Sequence, residues 1–304
     1  MIGIKKIKNF LNYKKYINTN SIELRNKLLY SLKANELTRL TLKSALSGVT
    51  DEKYCDHNII VSLTTYDKRL YDVYLAIESI MQGSIKPNRI ILWLQEDMQD
   101  KILPRTLELQ QKRGLEIMFC EDIRSYKKLI PSLYKFPDDA IITIDDDLIY
   151  EFDLLENLVT PYLLNPQYIY AHRCHKILTK KDGTLMKYNE WLWENIEYTP
   201  TLWGFPTGVG GTLYPPHSLD YEVFNRDVFM SICPFADDVW FKAMSLKKGT
   251  KVCSVFSHEK HGRDFLVNDY VQDIGLAQLN VCQNRNDSQI KAVFDKYDLY
   301  QYLK

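Results

Sequence analysis

The chain has 304 residues, of which 45% are hydrophobic and 26% charged, with 39 basic and 39 acidic residues. This apolar content can build a sizeable core, which excludes global disorder, and the zero net charge argues against a general nucleic-acid binder. No signal-peptide pattern and no run of about 18 apolar residues occurs, so we expect no membrane-spanning segment. The six cysteines include no Cys-x-x-Cys pair, which is typical of reduced thiols in a cytoplasmic protein.

The first part of the chain is a basic extension, predicted over residues 1–57. Residues 1–50 carry ten Lys and Arg against two acidic residues, so the rest of this neutral chain has a net charge of −8. Apolar residues recur at helical spacing in two sets. The first set is Ile4, Ile7 and Leu11, and the second is Leu24, Leu28 and Leu32. A basic helix can contact the anionic inner face of the plasma membrane peripherally. It can equally pack on the core with its lysines in solvent.

Strand and helix patterns alternate from residue 58 onwards. Buried strands are predicted by the apolar runs at residues 59–63, 90–94, 115–119 and 140–144. Between the first two runs, apolar residues recur at helical spacing at Val73, Ile77, Ile80 and Met81. A second helix should end near Gly114, and a third, over residues 123–133, should be interrupted at Pro131. The order β-α-β-α-β-α-β predicts the nucleotide-binding half of an α/β sheet.

Three consecutive carboxylates, Asp145, Asp146 and Asp147, follow the fourth predicted strand. Buried strands of α/β sheets deliver functional residues at their carboxyl ends. Adjacent anions repel one another, and a divalent cation removes that conflict, since Mg²⁺ takes carboxylates together with substrate phosphates. The triplet therefore indicates a metal site that holds a phosphorylated donor, although a solvated acidic turn would have the same sequence.

A second acidic pair, Asp237 and Asp238, follows Pro234 at the start of a helix predicted to extend to Leu246. Helix capping alone needs only one carboxylate. The neighbouring residues are aromatic and apolar, so one carboxylate should lie in a partly apolar cleft, where burial raises its pKa towards that of a general base. We therefore predict a catalytic role for the pair.

Residues 205–216 form a segment rich in glycine that lacks the Gly-Lys-Ser/Thr of a P-loop. Its glycines, among them Gly210 and Gly211, let the backbone approach a ligand closely or form a tight turn. The nearby aromatic residues fit a sugar-stacking surface and a core equally well; they are Trp191, Trp193, Trp203 and Tyr214.

Other polar candidates lie near the predicted strand ends. A nucleotide would meet the residues that follow the first strand, namely Thr64, Thr65, Tyr66 and Arg69. Lys127 and Lys128 could face phosphates. His258 and His261 follow a strand predicted at residues 251–256, and His258 could complete a metal shell. A last helix, capped at residues 286–288, should bury Ile290, Val293, Phe294 and Tyr297 on one face.

Taken together, the segments from residue 58 to residue 304 resemble the GT-A glycosyltransferases, specifically bacterial family 2 enzymes that build capsule, O-antigen lipopolysaccharide or other surface glycans. The resemblance rests on residues 61–66, 76–80, 126–129, 143–147, 208–211 and 236–239. It implies an α/β fold with a GT-A type nucleotide-binding mixed sheet flanked by helices, here with an N-terminal helical extension. Residues 58–150 would bind the nucleotide, and residues 151–304 would bind the acceptor.

The resemblance also implies roles for individual residues. The acidic triplet would be the DXD motif, in which Asp145 lies near the ribose or metal and Asp147 ligates Mn²⁺ or Mg²⁺. Asp238, beside Asp237, would be the base that deprotonates the acceptor hydroxyl, giving inversion at the anomeric carbon. The remaining expected contacts are Thr64, Tyr66, Arg69, Lys128 and Asp146 for the nucleotide sugar, Gly210 and Gly211 for the donor sugar, and Trp203 and Trp191 for the acceptor.

The expected partners are a nucleotide sugar, with UDP favoured, and a glycan or lipid-linked glycan acceptor. Two alternatives remain open. A sugar-phosphate nucleotidyltransferase also uses a strand-end carboxylate and a metal, but it usually carries a glycine-rich basic loop where this chain has Thr64 to Lys68. A non-catalytic glycan- or nucleotide-binding subunit would have no need of both acidic clusters.

Overall fold

The computed structural model describes residues 2–258, 265–274 and 285–303, and their side chains except for residues 2–20 and 272–274. Runs of Ile, Val and Leu form the first central strands because branched apolar side chains pack well on both faces of a buried sheet. These strands are β1 (Ile59–Thr64), β2 (Arg89–Gln95), β3 (Leu115–Cys120) and β4 (Ala140–Thr143). The bounds of all four predicted strands are confirmed to within a residue or two, but β3 is mostly half-buried because it lies at the edge of the sheet.

Seven strands form the central sheet, which also includes β6 (Ile169–Ala171), β9 (Thr212–Tyr214) and β10 (Val252–Ser254). Their order is β10-β6-β9-β4-β1-β2-β3. Only β9 runs antiparallel, to both β4 and β6, while the pairs β1–β2, β2–β3, β1–β4 and β6–β10 are parallel. The predicted mixed sheet flanked by helices is therefore confirmed.

Two small antiparallel sheets complete the described strands. One pairs β5 (Leu148–Tyr150) with β11 (Phe265–Val267), so a late segment of the chain pairs with the strand that directly follows the acidic triplet. The other pairs β7 (Cys174–Lys176) with β8 (Gly204–Pro206), which overlaps the start of the glycine-rich segment.

Helices cover both faces of the central sheet. Those in its first half are α2 (Val73–Met81), α3 (Arg105–Gln111) and α4 (Ile130–Lys135). Pro131 stands in the first turn of α4, so it begins a helix, after a 3-10 turn at Arg124–Lys128, rather than interrupting one. The later helices are α5 (Leu154–Leu164), α6 (Arg226–Ile232), α7 (Asp237–Lys248) and α8 (Arg285–Tyr297). Ile290, Val293 and Phe294 of α8 are buried, as predicted, whereas Tyr297 is only half-buried.

The N-terminal extension is one helix, α1 (Ile2–Lys43). Its described side chains pack on the core through Tyr30, Leu37 and Thr41, which are buried. The Thr41 hydroxyl donates to the buried Glu78 carboxylate at 3.0 Å, and Arg113 pairs with the same carboxylate at 2.8 Å. The predicted stripe faces elsewhere, since more than half of each side chain is exposed at Leu24, Leu28 and Leu32. No described helix combines the length and the apolar character that crossing a membrane requires.

Candidate functional site

The site lies where the chain stops adding strands on one side of β1 and begins adding them on the other. From β1 the chain moves outward through β2 and β3 and then returns to place β4 on the other side of β1. The carboxyl ends of β1 and β4 therefore meet at a topological switch point, where open α/β sheets bind ligands. Thr65 follows β1 there, and the acidic triplet follows β4.

Asp146, the middle carboxylate of the triplet, is buried and held by the segment after β1. The Thr65 hydroxyl donates to it at 2.6 Å, and Arg69 Nη1 donates at 2.8 Å. Arg69 Nη2 lies 3.0 Å from an Asp147 oxygen, so one guanidinium neutralises two neighbouring carboxylates. Burial raises the pKa of Asp146 to about 6, although Arg69 opposes the shift.

Lys128 joins the two acidic clusters. Its Nζ lies 2.9 Å from an Asp145 oxygen and 3.0 Å from an Asp237 oxygen, and the side chain is buried. Burial by itself would lower the lysine pKa, but Asp145, Asp237 and Asp238 together raise it well above its usual value. Lys128 therefore remains charged and ties the end of β4 to the start of α7.

Asp238 is partly buried and accepts hydrogen bonds from the Gly208 amide at 3.1 Å on both carboxylate oxygens. Burial, and then the charge of Asp237, raise its pKa to about 7. A group with a pKa near the working pH can accept a proton and release it again, which a general base requires. The prediction that one carboxylate of the pair has a raised pKa is thus met at Asp238.

Gly208 lies where the two clusters converge. A Cβ atom at this position would be 2.3 Å from Lys128 Nζ and 3.3 Å from an oxygen of each of Asp145 and Asp238. No side chain fits in that space without displacing the lysine. A glycine here therefore allows the backbone amide to reach Asp238 while both acidic clusters stay close together.

The site carries more negative than positive charge. Among the described residues, the two clusters hold five carboxylates, of which four are paired with Arg69 or Lys128, so an excess of three negative charges remains when all are ionised. Carboxylate oxygens are the ligands that Mg²⁺ and similar hard cations prefer, and such a cation would reduce the excess. The donor set at Asp145 and Asp147 thus fits a divalent metal.

Three other predicted site residues have partners of their own. The Thr64 hydroxyl donates to the Trp93 carbonyl at 2.8 Å. Tyr66 is exposed, and the Arg69 guanidinium lies 5.6 Å from the centre of its ring. His258 Nε2 lies 2.6 Å from an oxygen of Asp153, the N-cap residue of α5. Within the described residues, His258 and the acidic triplet do not bring three ligand atoms within 4.8 Å of one another. His261 lies outside the described residues.

At Gly210 and Gly211, the surrounding space and the backbone conformation explain why the residue is glycine. A Cβ at Gly210 would lie 2.8 Å from Arg173 Cβ, and Gly211 has a φ of +86°, a conformation that residues with side chains rarely adopt.

The predicted aromatic residues divide between the core and its boundary. Trp191 is buried, and its Nε1 donates to the Met186 carbonyl at 3.1 Å, so it is a core residue, whereas Trp203 is partly buried.

Two residues that contact the acidic clusters were not assigned site roles from sequence. Gly208 is one, and its position at the start of the glycine-rich segment was the available signal. The other is Tyr150, whose buried hydroxyl accepts a hydrogen bond from the Asp145 amide at 2.8 Å. A tyrosine in a short apolar strand carries no pattern that predicts this contact.

Neither a protein-family profile nor a curated protein matches the sequence. Among solved structures, a mannosyltransferase from Pyrobaculum calidifontis in complex with GDP-Man and Mn²⁺ is 13% identical, with 92% of this chain and 76% of that chain covered and a TM-score of 0.46. A cytidylyltransferase from Leptospira borgpetersenii serovar Hardjo-bovis is 11% identical, with coverages of 81% and 97% and a TM-score of 0.43.

Glucosyl-3-phosphoglycerate synthase from Mycobacterium tuberculosis, in complex with Mn²⁺, UDP and phosphoglyceric acid, is 19% identical over 38% of this chain, with a TM-score of 0.30. The match covers only 43% of that synthase. Identities of 11–19% and TM-scores below 0.5 leave the activity of this chain to be inferred from the geometry of its own site.

Proposed function

We propose that this chain is a metal-dependent, inverting glycosyltransferase of the GT-A type, which transfers a sugar from a nucleotide sugar to a hydroxyl group. One observation carries the proposal. The acidic triplet after β4 and the pair that begins α7 meet around Gly208, and Asp238 has a pKa raised to about 7 beside them. Donor binding and proton removal thereby have separate carboxylates in one site.

The donor would bind at the switch point between β1 and β4. Asp145 and Asp147 would hold Mn²⁺ or Mg²⁺, and the ion would supply Lewis-acid stabilisation of the departing diphosphate. Arg69 and Lys128 add fixed positive charge beside these carboxylates. The exposed ring of Tyr66 and the carboxyl end of β1 at Thr64 would line the nucleotide pocket.

Asp238 would take the proton from the acceptor hydroxyl. Its carboxylate is oriented by the Gly208 N–H, which donates one hydrogen bond shared between both carboxylate oxygens, so the base is held in position before the acceptor arrives. The deprotonated hydroxyl would attack the anomeric carbon on the face opposite the nucleotide. A single displacement of this kind inverts the configuration at that carbon.

The acceptor would be a growing bacterial surface glycan, free or lipid-linked, as the family resemblance implies. The basic extension supports a peripheral position on the inner face of the plasma membrane. Leu24, Leu28 and Leu32 are exposed on a helix whose segment of the chain is strongly basic. Anionic lipids attract such a surface, at about 1 kcal/mol for each Lys or Arg close to the membrane.

The direct test is a calorimetric screen of UDP-sugars, GDP-mannose and CMP-sugars with MnCl₂ or with EDTA, followed by assays of donor hydrolysis. We expect one donor to bind only when metal is present and to be hydrolysed slowly without acceptor. Asp227→Ala serves as the control for aspartate variants of the site, because the Asp227 side chain is 93% exposed and forms only a surface ion pair with Arg226. Release of pyrophosphate from CTP or UTP with a sugar phosphate, and no hydrolysis of any nucleotide sugar, would replace the proposal with the nucleotidyltransferase alternative.

A further inference from the structure

A groove of about 670 Å³ runs between helix α5 and the edge strand β10, and the residues that line it include none of the acidic clusters. Asp153 and Phe256 lie at the end of α5 and β10 that faces the site, while Asn165 and Tyr168 lie towards the opposite end of α5. Clefts of about 300–1,000 Å³ are typical of sites that bind small molecules. Eleven helical residues make the α5 wall about 16 Å long.

One end of the groove lies close along the chain to the segment that carries the acidic triplet. Asp153 follows β5 closely, and the Tyr150 hydroxyl at the end of β5 accepts a hydrogen bond from the Asp145 amide. Phe256 follows the carboxyl end of β10, which is parallel to β6. The groove therefore begins at the sheet edge that carries the acidic clusters and leads away from it along α5.

The lining combines exposed aromatic rings with hydrogen-bonding side chains. Tyr198 is 61% exposed and Phe256 is 53% exposed. Carboxylate, amide and hydroxyl groups stand beside these rings at Asp153, Glu156, Asn157, Thr160 and Asn165. Sugar rings present an apolar C–H face to an aromatic ring and a hydroxyl edge to polar groups, so this lining matches a carbohydrate.

The charge of the groove indicates which kind of carbohydrate it can bind. Its described lining contains two acidic side chains, Asp153 and Glu156, and no Lys or Arg. An anionic glycan or a phosphate group would be repelled there and would find no cation to bind. His258 pairs with Asp153, but this histidine does not belong to the lining.

We propose that this groove binds an uncharged oligosaccharide segment of the acceptor, beyond the sugar that receives the transferred residue. The acceptor role rests on the glycosyltransferase function proposed above, whereas binding of a neutral glycan does not. The groove would hold the existing chain while its end reaches Asp238. It would make the enzyme select acceptors by the neutral sugars that lie several residues from the reacting hydroxyl.

The test uses the full chain and three neutral probes, maltohexaose, cellohexaose and chitohexaose, with a polygalacturonate hexasaccharide as the anionic comparison. Binding is followed by saturation-transfer NMR and calorimetry. We expect at least one neutral hexasaccharide to bind, and the double variant Tyr198→Ala, Phe256→Ala to weaken its affinity at least tenfold. Tyr221→Ala is the control, because Tyr221 is also a well-exposed aromatic residue, at 83%, and lies outside the groove lining.

Thermal unfolding of each variant checks that it is folded, since both groove rings are more than half exposed. Failure of all three neutral probes to bind, unchanged binding by the double variant, or equal binding of the anionic hexasaccharide would overturn the groove assignment. Donor binding, measured in parallel, separates the two proposals. Glycan binding without binding of any nucleotide sugar would support the groove and overturn the transferase function.

Discussion

Replacement of Asp238 by Asn tests two effects of this carboxylate separately. One is its role as a catalytic base, and the other is the free energy of unfolding that is lost when its charge is buried. The folded-state pKa of Asp238 is about 7, against 3.8 for an ordinary aspartate. A carboxyl whose pKa is raised on folding favours the folded state most when it is protonated. That contribution is complete below about pH 4 and is lost as the pH rises through about 7.

The size of this effect follows from the two pKa values. Between pH 5 and pH 8 the wild-type protein should lose on the order of 2–3 kcal/mol of unfolding free energy relative to Asp238→Asn, because asparagine has no charge to bury. For a chain of this length that corresponds to roughly 4 °C in Tm. The Asn carbonyl can still accept from the Gly208 amide, so the local geometry is kept.

Transfer activity should fall in Asp238→Asn, whereas the stability of this variant relative to the wild-type protein should rise with pH. Without its base, the variant should transfer sugar about 10²–10⁴ times more slowly while binding the donor normally. The wild-type rate should rise with pH and level off above about pH 7. Tm is measured with EDTA at pH 5 and pH 8, and transfer with metal, using Asp227→Asn as the surface control. An unchanged Tm difference at the two pH values would refute the pKa argument, and retained transfer would refute the base assignment.

Three further perturbations test other parts of the site. Asp147→Ala should weaken metal-dependent donor binding at least tenfold by calorimetry, and an unaltered titration would exclude a metal role for this carboxylate. Gly208→Ala would put a Cβ 2.3 Å from Lys128 Nζ and should reduce kcat about 10²-fold, in a protein that circular dichroism shows to be folded; full activity would contradict the close approach described. Leu28→Ser with Leu32→Ser should reduce flotation with anionic vesicles in proportion to the exposed apolar area lost, and equal flotation with neutral vesicles would argue against the electrostatic contribution.

Local pattern was sufficient for the elements of the nucleotide-binding half. The apolar runs that predict β1 to β4 are short and bounded by turn residues. Three of these strands are buried in the sheet, whereas β3 lies at its edge and is mostly half-buried. The acidic triplet could also be located, because it follows β4 directly and strand ends are where α/β sheets bind ligands. The helical extension was equally readable, but the face that packs was not. Its leucine stripe is exposed, and Tyr30 and Leu37 make the contact instead.

The sequence by itself determined the α/β class, the strand that presents Asp145 to Asp147 and the helix that starts at Asp237. These features depend on side-chain periodicity and on residues adjacent in the chain. Only the tertiary structure decided that Lys128 bridges the two acidic clusters, that Arg69 neutralises two neighbouring carboxylates and that the Gly208 amide binds Asp238. Such contacts join segments far apart in sequence, and their geometry is set by the order of strands in the sheet. The pKa of Asp238 follows from that convergence, because burial and neighbouring charge are properties of the folded site.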